Sequence, residues 1–118
     1  MSDSPVLDSS VIDTLRQLTP PGEPDVLSEV LKMFIDEVPP RLDKLRNAWA
    51  EGNIKEVHRV AHSLKGSAGN IGARRMYDVC KTIDSGDSTV PPSSELIDSL
   101  GTEYRAVEAE IHRILKGA

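Results

Sequence analysis

Aromatic side chains are scarce in this chain of 118 residues: Phe34, Trp49, Tyr77 and Tyr104 are all it has. A core made with so few rings must be made of Leu, Ile, Val and Ala, a composition that suits packed helices. Cysteine is nearly absent as well. The single Cys80 excludes an internal disulfide and fits a reducing compartment. No apolar run approaches the roughly 18 residues that a membrane-crossing helix needs. The N-terminus also lacks the basic-then-apolar pattern of a secretory signal, so a cytoplasmic domain is expected. Positive charge is in deficit: the net charge of −5 argues against nucleic acid or an anionic membrane as the main partner. No segment alternates with period two, so no strand is expected. Internal repeats and low-complexity tracts are missing too.

What the sequence does have is helical periodicity. Its length points to one domain, placed here at residues 8–116 after a flexible stretch at 1–7. Asp8 or Ser9 caps a short helix with Val11, Ile12, Leu15 and Leu18 as its apolar positions. "TPPGEP" stops it, and Pro24 suits a first helical turn. Val26, Leu27, Val30, Leu31, Phe34, Ile35 and Val38 then recur at helical spacing. Pro39-Pro40 is expected to break or bend the chain, after which Leu42, Leu45, Ala48 and Trp49 continue to Glu51-Gly52.

Asn53 reads as an N-cap, with Glu56 as its reciprocal partner. Ile54, Val57, Ala61, Leu64, Ala68 and Ile71 form one stripe, and Gly72 ends it. Met76, Val79, Cys80 and Ile83 mark the next helix. "SGDSTVPPSS" is a loop. Ser93 or Ser94 caps a last helix striped by Ile97, Leu100, Tyr104, Val107, Ile111 and Ile114, and Gly117 closes it. Amphipathic helices with short connections bury their stripes against one another. The expected fold is all-α: an antiparallel four-helix bundle with one or two additional short N-terminal helices.

The polar side of the Asn53 helix is less ordinary. At about 100° per residue, His62 points roughly 130° away from the stripe and should be exposed. Its surface neighbours, three and four residues away, are His58 and Arg59 on one side and Lys65 and Gly66 on the other. Gly69 follows one turn later and Lys55 precedes by two. A glycine inside a helix costs about 0.5–1 kcal/mol relative to alanine. On the outward face, close core packing does not explain Gly66; what it does is remove bulk beside His62. Residues 53–75 carry five basic side chains, Lys55, Arg59, Lys65, Arg74 and Arg75, against one acid, Glu56, a net of +4 in an acidic protein. Taken alone, such charges also fit an ordinary solvated face.

An exposed imidazole can be a base, a metal ligand, a pH switch or a nucleophile. His58 and His62 share a face, but the zincin pattern needs Glu where Arg59 stands. Lys65 and Arg59 would repel a cation, so no metal site is expected. Hydrolysis needs a substrate cavity that nothing here suggests. Phosphoryl acceptance fits better: His62 attacks, Lys65 neutralises the incoming oxygens, and Gly66 clears the approach. "GSAGNIG" lacks the terminal G-K-[ST] of a nucleotide loop, so no ATP-dependent kinase activity is expected and the phosphoryl group must come from another protein.

The stretch "AHSLKGSAGNIGA", Ala61 to Ala73, resembles the signature of histidine-containing phosphotransfer (HPt) domains, A-H-x-L-K-G-S-A-x-x-x-G-A. The resemblance implies a helical bundle that relays phosphoryl groups between aspartates of receiver domains. On it, His62 falls on the phosphorylated histidine, Lys65 on the basic residue that assists the phosphoryl group, and Gly66 on the small residue that admits the partner. Ser67, Ala68 and Gly72 fall on packing and turn positions. Implied partners are response-regulator receiver domains and a hybrid histidine kinase. No cofactor is implied on this chain, since Mg2+ sits on the partner receiver, and a monomer is expected. Lys55, His58, Arg59, Gly69 and Arg74 enter the candidate partner surface through helical geometry and charge, not through the signature. Three other readings stay open: the phosphoacceptor domain of a chemotaxis-type histidine kinase, a receiver-binding module that turns over no phosphate, and a metal-binding bundle.

Overall fold

The computed structural model describes residues 5–87 and 89–117, which form five helices and no strand. They are α1 (Ser9–Gln17), α2 (Val26–Ala50), α3 (Ile54–Asn70), α4 (Arg74–Asp84) and α5 (Ser94–Gly117). Helices α2 to α5 pack in sequence order, and α5 returns to α2, closing the ring; α1 lies against α2. This is the four-helix bundle with one extra N-terminal helix. None of the described helices is long and apolar enough to cross a membrane.

Most of the periodic positions line the core, although Leu18, expected on the stripe of α1, lies past its end and is 59% exposed. Val57, Ala61, Leu64, Ala68 and Ile71 are all sealed, together with Val60. On α5, Ile97, Leu100, Tyr104, Val107 and Ile111 are buried, and Phe34 stacks on Tyr104 with centroids 6.2 Å apart. Cys80 has no exposed surface, and burial pushes its thiol up to about 12. It is a small core hydrophobe, and Met76, a large one, is buried as completely. Trp49 is only half-buried; its Nε1–H donates to the Pro92 carbonyl at 2.8 Å and ties the end of α2 to the loop before α5.

Several local expectations need correction. Helix α2 runs through Pro39 and Pro40 without interruption. Each proline removes an amide donor and costs about 3 kcal/mol in a helix interior. The stripe Leu31, Phe34, Val38, Leu42 and Leu45 is buried on both sides of the pair, and each such side chain contributes roughly 1.5–3 kcal/mol. Continuity wins because breaking the helix would lift that stripe off the core. Pro24 stands outside α2, whose cap is Asp25, accepting from the Leu27 amide. Asn53 caps α3 by accepting from the Glu56 amide at 3.3 Å. Glu56 does not reciprocate: its carboxylate goes to Arg59 and Lys44, while the Asn53 amide donates to Ala48.

The expected flexible stretch 1–7 extends beyond the described residues at 1–4. Within the described part, Leu7 is buried and Val6 packs on the core. From there Asp8 caps α1 and its amide donates to the Gly72 carbonyl at 2.9 Å.

Gly72 is where α3 turns into α4. Its φ of +73° lies in the left-handed region, the Ala73 amide donates to Ala68 and the Gly72 amide to Gly69. That pair of bonds is the Schellman termination. A Cβ at Gly72 would also meet Asp8 and Val11 at 3.0 Å, so the turn needs glycine for conformation and for the approach of α1.

Candidate functional site

The face of α3 opposite its buried stripe carries the site. His62 stands on it with its side chain 70% exposed. Gly66, one turn on, has nothing within 4 Å of where a Cβ would be. The bare flank expected from the sequence is there, and none of the described residues fills it.

On one side this face meets α4. Asp84, the last residue of α4, puts its Oδ2 3.0 Å from His62 Nδ1 and 3.0 Å from Lys65 Nζ. The His62 contact, and then Lys65, hold the Asp84 carboxyl below the usual carboxylate range despite the opposing desolvation. The hydrogen bond to Asp84 raises Lys65 in turn. Asp84 is therefore anionic and can only accept, so His62 Nδ1 carries the proton and donates it. In the neutral ring this leaves the lone pair on Nε2.

Asp84 is the site residue that sequence reasoning missed. One signal was present. A carboxylate in the last turn of a helix sits at the negative end of the dipole and is disfavoured there by about 0.3–1 kcal/mol. Such a residue calls for compensating donors, and Lys65 and His62 supply them.

The other sequence candidates divide. His58 is half-buried and turned toward α4, its Nδ1–H donating to the Asp84 carbonyl at 3.1 Å. Arg59 is exposed and folds back on Glu56. Lys55 is exposed. Arg74 is tied to Asp8 at 2.8 Å. Gly69 is not bare, since the Tyr77 ring lies 3.5 Å from its would-be Cβ. Arg75 pairs with Glu103 at 2.8 Å. The net +4 of this segment is thus largely matched by carboxylates from other segments: Lys65 meets Asp84, Arg74 meets Asp8 and Arg75 meets Glu103. Among the described residues, no group of three or more His, Cys, Asp and Glu side chains is placed to hold a metal ion.

On its α2 side the face borders an open groove of about 380 Å³ lined by Leu15, Val30, Met33, Phe34, Ser67 and Ile71, among others. Met33 is 56% exposed there. Arg41 reaches across from α2 to donate to Ser67 Oγ at 3.2 Å.

Comparison with known proteins adds a lineage to this geometry. The family model of the Hpt domain matches residues 29–116. Histidine-containing phosphotransfer protein 5 of Arabidopsis thaliana is 33% identical over 69 residues, 56% of this chain and 44% of that one. Histidine-containing phosphotransfer protein 1 of the same plant is 27% identical over 115 residues, 94% of this chain and 74% of that one. The chain thus spans less than half the length of the first of these relatives. Among solved structures, that of histidine-containing phosphotransfer protein B from Pseudomonas aeruginosa PAO1 superposes with a TM-score of 0.87, covering 98% of this chain and 99% of that one at 23% identity. That likeness is one of fold.

Proposed function

The chain belongs to the Hpt domain family, and on that premise we propose that it is a histidine phosphotransfer intermediate of a multistep two-component phosphorelay. His62 accepts a phosphoryl group from a receiver-domain aspartate and passes it to the aspartate of another receiver. The observation that carries this reading is the Asp84 clasp. With Nδ1–H held by Asp84 across 3.0 Å, the free lone pair lies on Nε2 of a ring exposed to solvent. An aspartyl phosphate aligned with it undergoes in-line displacement. The Nε2–P bond forms as the acyl P–O bond breaks, and the receiver's carboxylate departs with the electron pair. No proton moves in the step: Nδ1–H stays in place. The positive charge that develops on the imidazole faces the Asp84 carboxylate. In the donating step an aspartate oxygen of the second receiver attacks phosphorus, and the Nε2–P bond breaks with its electron pair left on Nε2.

Lys65 is shared with Asp84 at 3.0 Å and its side chain is 24% exposed. Turning toward the phosphoryl oxygens, it offsets part of their charge. Gly66 lets the receiver's surface come close, and the apolar groove between α1, α2 and α3 offers the desolvated area that docking needs. Mg2+ would be held by the receiver. The carboxylate at this site is already engaged by two donors, the Lys65 ammonium and the His62 Nδ1–H, which suits charge stabilisation and does not suit a metal. Receivers and a hybrid histidine kinase are the partners this reading names, and the chain acts as a monomer.

Incubation with a panel of phosphorylated receiver domains tests the proposal. Acid-labile, alkali-stable label is expected on the wild-type chain and not on His62→Gln, with onward transfer to a second, unlabelled receiver. Binding of the phosphorylated receiver with no label transferred would instead mean sequestration. Label on His62→Gln would refute the site.

A further inference from the structure

Helical spacing puts His58 beside His62, and its hydrogen bond turns the ring toward α4. The two histidines sit four residues apart on α3, and both reach the same residue of α4. His62 Nδ1 meets the Asp84 carboxylate at 3.0 Å, and His58 Nδ1 meets the Asp84 backbone carbonyl at 3.1 Å. A carbonyl oxygen only accepts, so His58 carries its proton on Nδ1.

The place of that carbonyl matters. Asp84 ends α4, and the last four carbonyls of a helix have no donor within it. Frayed last turns are common for that reason. Here the end of α4 must not fray, because its last side chain orients the His62 ring. His58 supplies the missing donor from the neighbouring helix, and its half-buried ring is held between α3 and the start of the α4–α5 loop, Cε1 lying 3.9 Å from the would-be Cβ of Gly86. The groups around it are Asp84 and Asp87 at the end of α4 and beyond.

We propose that His58 is a positioning residue for phosphotransfer: its hydrogen bond to the Asp84 carbonyl pins the last turn of α4, so that the Asp84 carboxylate keeps His62 in the Nδ1–H tautomer with Nε2 free. This rests on the reading of His62 as the phosphoacceptor, but its first consequence, the tautomer of His62, is visible without any receiver.

Two substitutions separate the donor from the bulk. Asparagine places an amide N–H near the position of imidazole Nδ1; phenylalanine keeps the ring and removes the donor. In 15N-resolved NMR of the full chain, His62 in wild type is expected to show the Nδ1–H form. His58→Phe, with helical circular dichroism unchanged, is expected to move His62 to a mixture of tautomers and to slow phosphoryl uptake roughly tenfold. His58→Asn is expected to restore both. An unchanged His62 tautomer in His58→Phe, or equal damage in His58→Asn, would overturn the proposal. Should no receiver label the wild-type chain, the phosphorelay reading fails while the tautomer experiment still decides whether His58 positions Asp84.

Discussion

His62 on α3 and Asp84 at the end of α4 are 22 residues apart in sequence and 3.0 Å apart in space. That contact turns an ordinary exposed histidine into one with a defined tautomer. It also means that the cation of the site, Lys65, is not waiting unpaired but shared. The site is a hydrogen-bonded cluster of three residues on the surface, with the His62 side chain far more exposed than those of Lys65 and Asp84.

Removing the charge while keeping the shape isolates its contribution. Asp84→Asn keeps the side chain's shape, so it is expected to leave the bundle folded and to lower the rate of phosphoryl uptake by roughly tenfold, the equivalent of about 1.4 kcal/mol of lost charge stabilisation. Rapid-quench transfer kinetics against one labelled receiver measure it. A rate equal to wild type would show that the carboxylate does not share in the chemistry.

Gly66 invites a paired experiment. None of the described residues contacts its flank, so Gly66→Ala should stabilise the fold by about 0.5–1 kcal/mol through helix propensity alone. Gly66→Gln should fold as well, yet lose receiver docking. Denaturant melts and binding isotherms give the two readings independently. A Gln variant that binds as wild type does would remove the bare flank from the mechanism.

The prolines inside α2 offer a stability test away from the site. Pro40 is exposed, so Pro40→Ala alters no core packing and restores a helical amide. A gain of about 1–3 kcal/mol in unfolding free energy is expected, read from the midpoint of a urea melt. No gain would mean that the helix has already adapted its backbone around the ring.

Acid should release α1 late. The Ser10 hydroxyl, with Arg74 and the Ser10 amide, holds the Asp8 carboxyl at about 2, below its ordinary 3.8. A depressed carboxylate stabilises the fold above its unfolded value and loses that contribution as pH falls from 3.8 through about 2. Wild type and Asp8→Asn should therefore differ in thermal midpoint at neutral pH and converge near pH 2. A constant gap down to that pH would place the effect in cap geometry and not in charge.

Lys65→Ala extends the same reasoning to the cation. Transfer should slow without vanishing, because the nucleophile and its tautomer remain. Complete loss of label in that variant would assign Lys65 a larger part than charge screening.

By itself, the sequence determined the helices, their buried faces and the exposure of His62. Those properties follow from interactions within four residues: apolar spacing, caps such as Asp8 and Ser93, and the left-handed glycine at Gly72. The family signature is equally local, Ala61 to Ala73. Where local rules met competition they failed. Pro39 and Pro40 did not interrupt α2, because the burial of its stripe outweighs the bonds they remove. Glu56 left Asn53 for cations on two helices. What only the tertiary structure decided is which charges meet. Lys65, Arg74 and Arg75 read as a basic strip, yet each finds its carboxylate on a different segment: Asp84, Asp8 and Glu103. Asp84 enters the site solely through the packing of α4 on α3, a contact of high sequence separation that no periodicity encodes. Helix formation depends on neighbours along the chain, whereas the position of a proton on His62 depends on a neighbour through space.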